Sequence, residues 1–188
     1  VPEYRVIARD RGGDEEKNGR DIHQSDRYCL PLQALLGWDL AAPMIGIAQG
    51  AIEEFTDRLT GTSGPGRTAE NDSVQVRLSQ ASAEVDAARA LMRGDIEEMF
   101  LKAREGEVFN TLERARYRRD KAFVAQQCMN AVNRLFEMSG GHAIFESGRM
   151  QRFHRDIQAA VHRDGFIMEL GGLQYGRAAL GLEPKGRI

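Results

Sequence analysis

The chain has 188 residues, 29% of them charged and 41% apolar, with a net charge of −2. That composition suits one sizeable globular domain with its own core and favours neither a nucleic-acid partner nor a membrane surface. Cys29 and Cys128 make neither a disulfide framework nor a metal-ligand pair, so a reducing cytoplasm is expected.

The chain starts Val1-Pro2-Glu3-Tyr4 with no initiator methionine, and it reads as the end of a longer protein. Residues 1 to 30 are polar, rich in Asp, Arg and Gly, and lack any sustained period, which predicts mainly loop. Pro31 can open a helix at its first position. From Leu32 to about Leu59 apolar residues are dense, so that segment is expected to be buried on more than one side. The longest apolar run, around Leu40 to Ala48, is broken by Pro43 and is too short to span a bilayer. Thr60 to Gly66 is a Gly/Ser/Pro loop.

A second helix is expected from Asp72-Ser73 to about Arg104. Its stripe Val74, Leu78, Ala81, Val85, Ala88, Met92 alternates four and three. Gly106 breaks it. A third helix from about Thr111 to Met138 carries Ala122, Ala125, Met129, Val132 and Phe136. Ser139-Gly140-Gly141 ends it, and a glycine there suits a left-handed cap. A last helix is expected over about Gln151 to Leu180. Gly171 and Gly172 inside it each cost roughly 1 kcal/mol of helicity and point to a close helix contact. The expected fold is all-α, an antiparallel up-down four-helix bundle over residues 31 to 188.

The run Ser139-Gly-Gly-His-Ala-Ile-Phe-Glu-Ser-Gly-Arg-Met-Gln-Arg-Phe-His-Arg-Asp156 resembles the acyl-CoA dehydrogenase family, in which an Arg-Asp pair follows a double glycine at a fixed interval. Arg58, the loop at 60 to 70 and Gln75 match a second stretch of that family, and Val1 to Arg5 resembles the end of its middle β-domain. The resemblance covers nearly the whole chain but only the last third of a complete enzyme. It implies that residues 1 to 30 are the end of a β-domain with its connection.

In the dehydrogenase branch a catalytic glutamate stands where this chain has Ser147, and a serine hydroxyl cannot act as that base unaided. Gln151-Arg152-Phe153-His154-Arg155-Asp156, then His162, resembles instead the two-component flavin-dependent monooxygenases. This branch implies a homotetramer, a separate flavin reductase, and hydroxylation of a phenolic or related small substrate. The chemistry would run through a C4a-hydroperoxyflavin formed on reduced FMN or FAD. His162 is the implied catalytic residue, because an imidazole can hydrogen-bond the flavin peroxide or deprotonate a phenol.

Arg58, Ser139, Gly140, Gly141 and His142 are the implied cofactor contacts. Arg58 has an equal reading as a solvated arginine at a helix end, and the glycines read equally as a cap. Trp38 is a candidate for the substrate wall or for the core. His154 is expected to pack or to touch the flavin edge. The run Arg114, Arg116, Arg118, Arg119, Lys121 reads as a solvated or intersubunit face. No metal constellation and no Gly-rich dinucleotide fingerprint appears. An acyl-CoA dehydrogenase with a relocated base such as Glu146, and a non-catalytic helical assembly module, are the alternatives. A chain of only these residues would be inactive alone.

Overall fold

A computed structural model of the chain describes residues 23, 25–61, 66 and 68–186. The expected β-domain end, at Val1 to Arg5, and part of the 60–66 loop lie outside them. Among the described residues the structure is all-helical, as expected, with no strand. After a 3-10 turn, Asp26–Cys29, come α1 (Leu32–Leu35), α2 (Trp38–Thr60), α3 (Asp72–Glu105), α4 (Thr111–Met138), α5 (Arg149–Val161) and α6 (Met168–Ala179).

The two longest helices have ends written in local chemistry. Asn71 caps α3 by accepting from Ser73 N, one residue before the expected cap. Asn110 and Glu113 form a reciprocal capping box on α4 that satisfies two N–H groups otherwise orphaned. Their side-chain pairs fix their relative direction. Arg77 meets Glu137, Glu84 meets Arg134, Glu98 meets Arg116 and Lys102 meets Glu113. Numbers rise along α3 as they fall along α4, so the two are antiparallel. By the same test α2 runs with α4: the Lys121 ammonium donates to Ala34 O near its start, and Arg58 donates to Ser139 O near its end. On α5, Gln158 donates to Asn133 and His154 stacks on Phe136, while Tyr175 of α6 receives Arg119 over its ring, so α5 and then α6 return along α4.

The core lies where the expected stripes place it. Val74, Ala81, Val85, Ala88, Ala122, Ala125 and Val132 are fully buried, with Leu78, Met92, Met129 and Phe136 packed against them. Small residues along α4 let four neighbours approach at once. Gly171 realises the expected close contact: a Cβ there would meet Arg118 O at 3.0 Å and the Arg119 Cα at 3.3 Å.

Two expected helices are interrupted. The first breaks at Leu36-Gly37, where Gly37 takes φ +105, a conformation that glycine adopts without a steric penalty. The turn sets Trp38 into the core at 2% exposure. The last helix stops at Val161; His162 and Arg163 leave helical geometry, and Asp164–Phe166 forms a 3-10 turn before α6. Burying Phe166, 6% exposed, requires that break, and Gly165 supplies little propensity to resist it. Gly140 has φ +71, but its ψ of −175 is extended, so the end of α4 is not the left-handed cap expected.

Candidate active site

The expected site residues fall into two groups at opposite ends of the helices. At the C-terminal end of α2 and α4, Arg58 reaches across and donates to Ser139 O at 3.3 Å. Ser139 is buried, and its hydroxyl donates back to Leu135 O at 2.8 Å. Gly140, Gly141 and His142 are exposed beyond it. Gly140 O accepts from Ala143 N, whereas neither Gly140 nor Gly141 donates its N–H to an acceptor among the described residues. No atom stands within 4 Å of a Cβ at either glycine. An exposed guanidinium beside two accessible N–H groups is a donor set suited to a phosphate or another anion. Glu146 and Ser147 lie exposed in the turn that follows.

The second group is one helix length away. α5 has 13 residues, about 20 Å, and α2 has 23, about 35 Å. His162 sits at the C-terminal cap of α5, exposed, with Nδ1 2.5 Å from Gln158 O. A carbonyl only accepts, so Nδ1 carries the proton of that bond. In the neutral ring Nε2 is then left with its lone pair. Trp38 lies at the start of α2, fully in the core, with Nε1 buried and without a partner among the described residues. Beside it a cavity of about 230 Å³ opens between Gly37, Lys121, Arg163 and Phe166. His154 stacks on Phe136 at 4.1 Å between centroids, and burial lowers its pKa.

The basic run of α4, expected as a solvated or intersubunit face, does not form one solvated face. Residues three and four apart share a face, and 114 to 121 wrap around the helix. Arg116 pairs with Asp95 and Glu98, and Arg119 with Asp120 while covering Tyr175. Lys121 is 4% exposed and donates to Ala34 O at 3.2 Å and Leu36 O at 2.6 Å. Burial first, then Arg118, pull its ammonium down to about 8, with Asp39 opposing. Sequence reasoning missed this residue, although Lys121, Ala125, Cys128 and Val132 have the spacing of one buried face.

Between α3 and α4, Asp95 and Asp120 are each 2% exposed, and each has an Oδ2 without a partner. Burial first, then the Asp120 charge, hold the Asp95 carboxyl well above the usual carboxylate range, with Arg116 opposing.

A family model for the acyl-CoA dehydrogenase C-terminal domain matches residues 39–164. The chain belongs to that family. It is 30% identical to the FADH(2)-dependent resorcinol hydroxylase, oxygenase component, of a Rhizobium species, over 100% of the chain and 49% of that protein. It is 25% identical to the flavin-dependent monooxygenase oxygenase subunit HsaA of Mycobacterium tuberculosis, over 98% of the chain and 48% of the relative. The solved M. tuberculosis HsaA monooxygenase superposes with a TM-score of 0.88 at 26% identity, covering 99% of the chain and 48% of HsaA. Butyryl-CoA dehydrogenase from Megasphaera elsdenii reaches 0.58 at 23% identity over 77% of the chain and 36% of its own, a likeness of fold alone. The chain thus spans about half the length of the curated relatives it matches. No helix among the described residues is long and apolar enough to cross a membrane.

Proposed function

We propose that this chain is the C-terminal helical domain of the oxygenase component of a two-component flavin-dependent monooxygenase that hydroxylates a phenolic or related small substrate. The observation that carries the reading is the end-to-end similarity, at 25–30% identity, to the resorcinol hydroxylase and HsaA oxygenase components. The serine at 147 supports it, because a hydroxyl in place of a carboxylate removes the base an acyl-CoA dehydrogenation needs.

Reduced FMN or FAD, delivered by a separate flavin reductase, would supply the electrons that activate oxygen for insertion. The chain's own residues would do the rest. Arg58 with the N–H groups of Gly140 and Gly141 would bind a flavin phosphate, beside Ser139 and His142. His162, held through Nδ1 on Gln158 O, would accept the phenolic proton at Nε2. The two groups stand a helix length apart, which suits an assembly in which neighbouring copies complete each other's sites. We propose a homotetramer in the cytoplasm, with residues 1 to 30 leading in from a β-domain and Trp38 backing the substrate wall.

The test uses the full-length protein with a flavin reductase. His162→Ala is expected to lower substrate hydroxylation about 10²–10⁴-fold while oxygen consumption continues as hydrogen peroxide release. Unchanged hydroxylation would remove the role of His162. Bleaching of oxidised flavin by an acyl-CoA would replace the whole reading with a dehydrogenase.

A further inference from the structure

The cavity beside Gly37 has a divided lining. One side is apolar, built from Leu36, Leu40 and the buried ring of Phe166. The other side carries Arg118, Lys121 and Arg163, and no carboxylate of the described residues lines it. Asp39 lies close by outside the lining, its Oδ1 accepting from Gly37 N at 2.9 Å. An apolar cavity of about 150 Å³ holds a benzene ring, so a volume of about 230 Å³ admits one ring with a small substituent.

Resting on the hydroxylase reading, we propose that this cavity is a substrate subsite for a single-ring aromatic carrying an anionic substituent, a carboxylate, set against Arg163, Arg118 and Lys121. Lys121 acts through its field. Its ammonium donates to the carbonyl oxygens of Ala34 and Leu36, which fix where it stands. Arg118 and Lys121 carry further contacts, so neither is assigned a direct bond to the ligand. Arg163 is exposed, its carbonyl oxygen accepts from Phe166 N at 2.8 Å, and its guanidinium makes no ion pair or hydrogen bond among the described residues, which leaves the planar fork to receive a carboxylate. It is the residue after His162. A ring seated on Phe166 with its acid group toward Arg163 therefore lies beside the loop that carries the imidazole. Gly37 belongs to the same design: a Cβ there would stand 3.8 Å from both Lys121 Nζ and Phe166 Cζ and would occupy the mouth.

The experiment is titration calorimetry of the flavin-free, full-length protein with 4-hydroxybenzoate and with its neutral analogue 4-hydroxybenzamide. The carboxylate is expected to bind about tenfold tighter or more, and added salt to erode that preference. Arg163→Gln should remove most of the preference while leaving benzamide affinity alone. Leu40→Phe, which fills the apolar side, should weaken both ligands. Lys121→Met is not needed, since its loss at a buried position can unfold the chain. Equal affinities for the two ligands, or a preference untouched by Arg163→Gln, would overturn the proposal. The two readings fail separately. Carboxylate-selective binding without hydroxylation in the reductase-coupled assay keeps the subsite and removes the hydroxylase. Hydroxylation of neutral phenols with no carboxylate preference keeps the hydroxylase and removes the subsite.

Discussion

Replacing Gly171 by alanine isolates how tightly α6 is set on α4. In an unconstrained helix interior that change gains about 1 kcal/mol, because alanine loses less backbone entropy. At Gly171 the new Cβ would stand 3.0 Å from Arg118 O, 3.3 Å from the Arg119 Cα and 3.4 Å from the Ala122 Cβ. The first two are backbone atoms of a 28-residue helix and cannot swing aside. Overpacking of this kind costs about 1–3 kcal/mol. The net effect is a loss of up to about 2 kcal/mol. Gly94 is the control: it lies within α3, and a Cβ there meets nothing within 4 Å. Gly94→Ala should stabilise by about 0.5–1 kcal/mol. With about 2–4 °C per kcal/mol for a chain of this size, Gly94→Ala should melt about 1–12 °C above Gly171→Ala. Thermal unfolding followed by far-UV circular dichroism measures this. A Gly171→Ala variant stabilised as much as Gly94→Ala would refute the close approach of α6.

Two more perturbations probe the α3–α4 interface and the core. The raised Asp95 pKa means that, from the ordinary aspartate range up toward neutral, the folded chain holds a proton the unfolded chain has released, so stability falls as pH rises through that window. Asp95→Asn removes the titration; urea midpoints at about pH 5 and about pH 8 should converge, and an unchanged pH slope would count against the raised Asp95 pKa. Burial pushes the Cys128 thiol up to about 12, whereas Cys29 is only half-buried, so a thiol reagent should label Cys29 in the folded chain and reach Cys128 only on unfolding. Equal labelling rates would contradict the burial of Cys128.

The helices whose ends are set by their own residues were legible in the sequence. The ends of α3 and α4 were expected where they fall from Asp72-Ser73, Gly106 and the 3–4 spacing of their apolar stripes, while the Asn71 cap and the Asn110–Glu113 capping box emerge only in the structure. The breaks at Gly37 and at His162–Ile167 were not legible, since nothing local demands them. They exist because Trp38 and Phe166 reach the core only if the chain turns, and tertiary burial outweighs helix propensity. The same cause hid the cavity, whose walls come from residues about 80 and 125 positions apart in the chain. The double glycine and Arg58 were visible as a motif, and the structure brings Arg58 and Ser139 into contact. Their distance from His162 was invisible, because a motif read along one line does not disclose that a 13-residue helix, Arg149–Val161, separates them.

That spacer has a consequence for how sequences of this kind can vary. The length of α5 is the ruler between the double-glycine turn and the histidine. Deleting one residue within Arg149–Val161 would shorten it by about 1.5 Å and rotate everything beyond it by about 100°. The turn at His162 would then face another direction, and Phe166 would miss the gap beside Gly37. The residue count of α5 is a phase that the fold must keep.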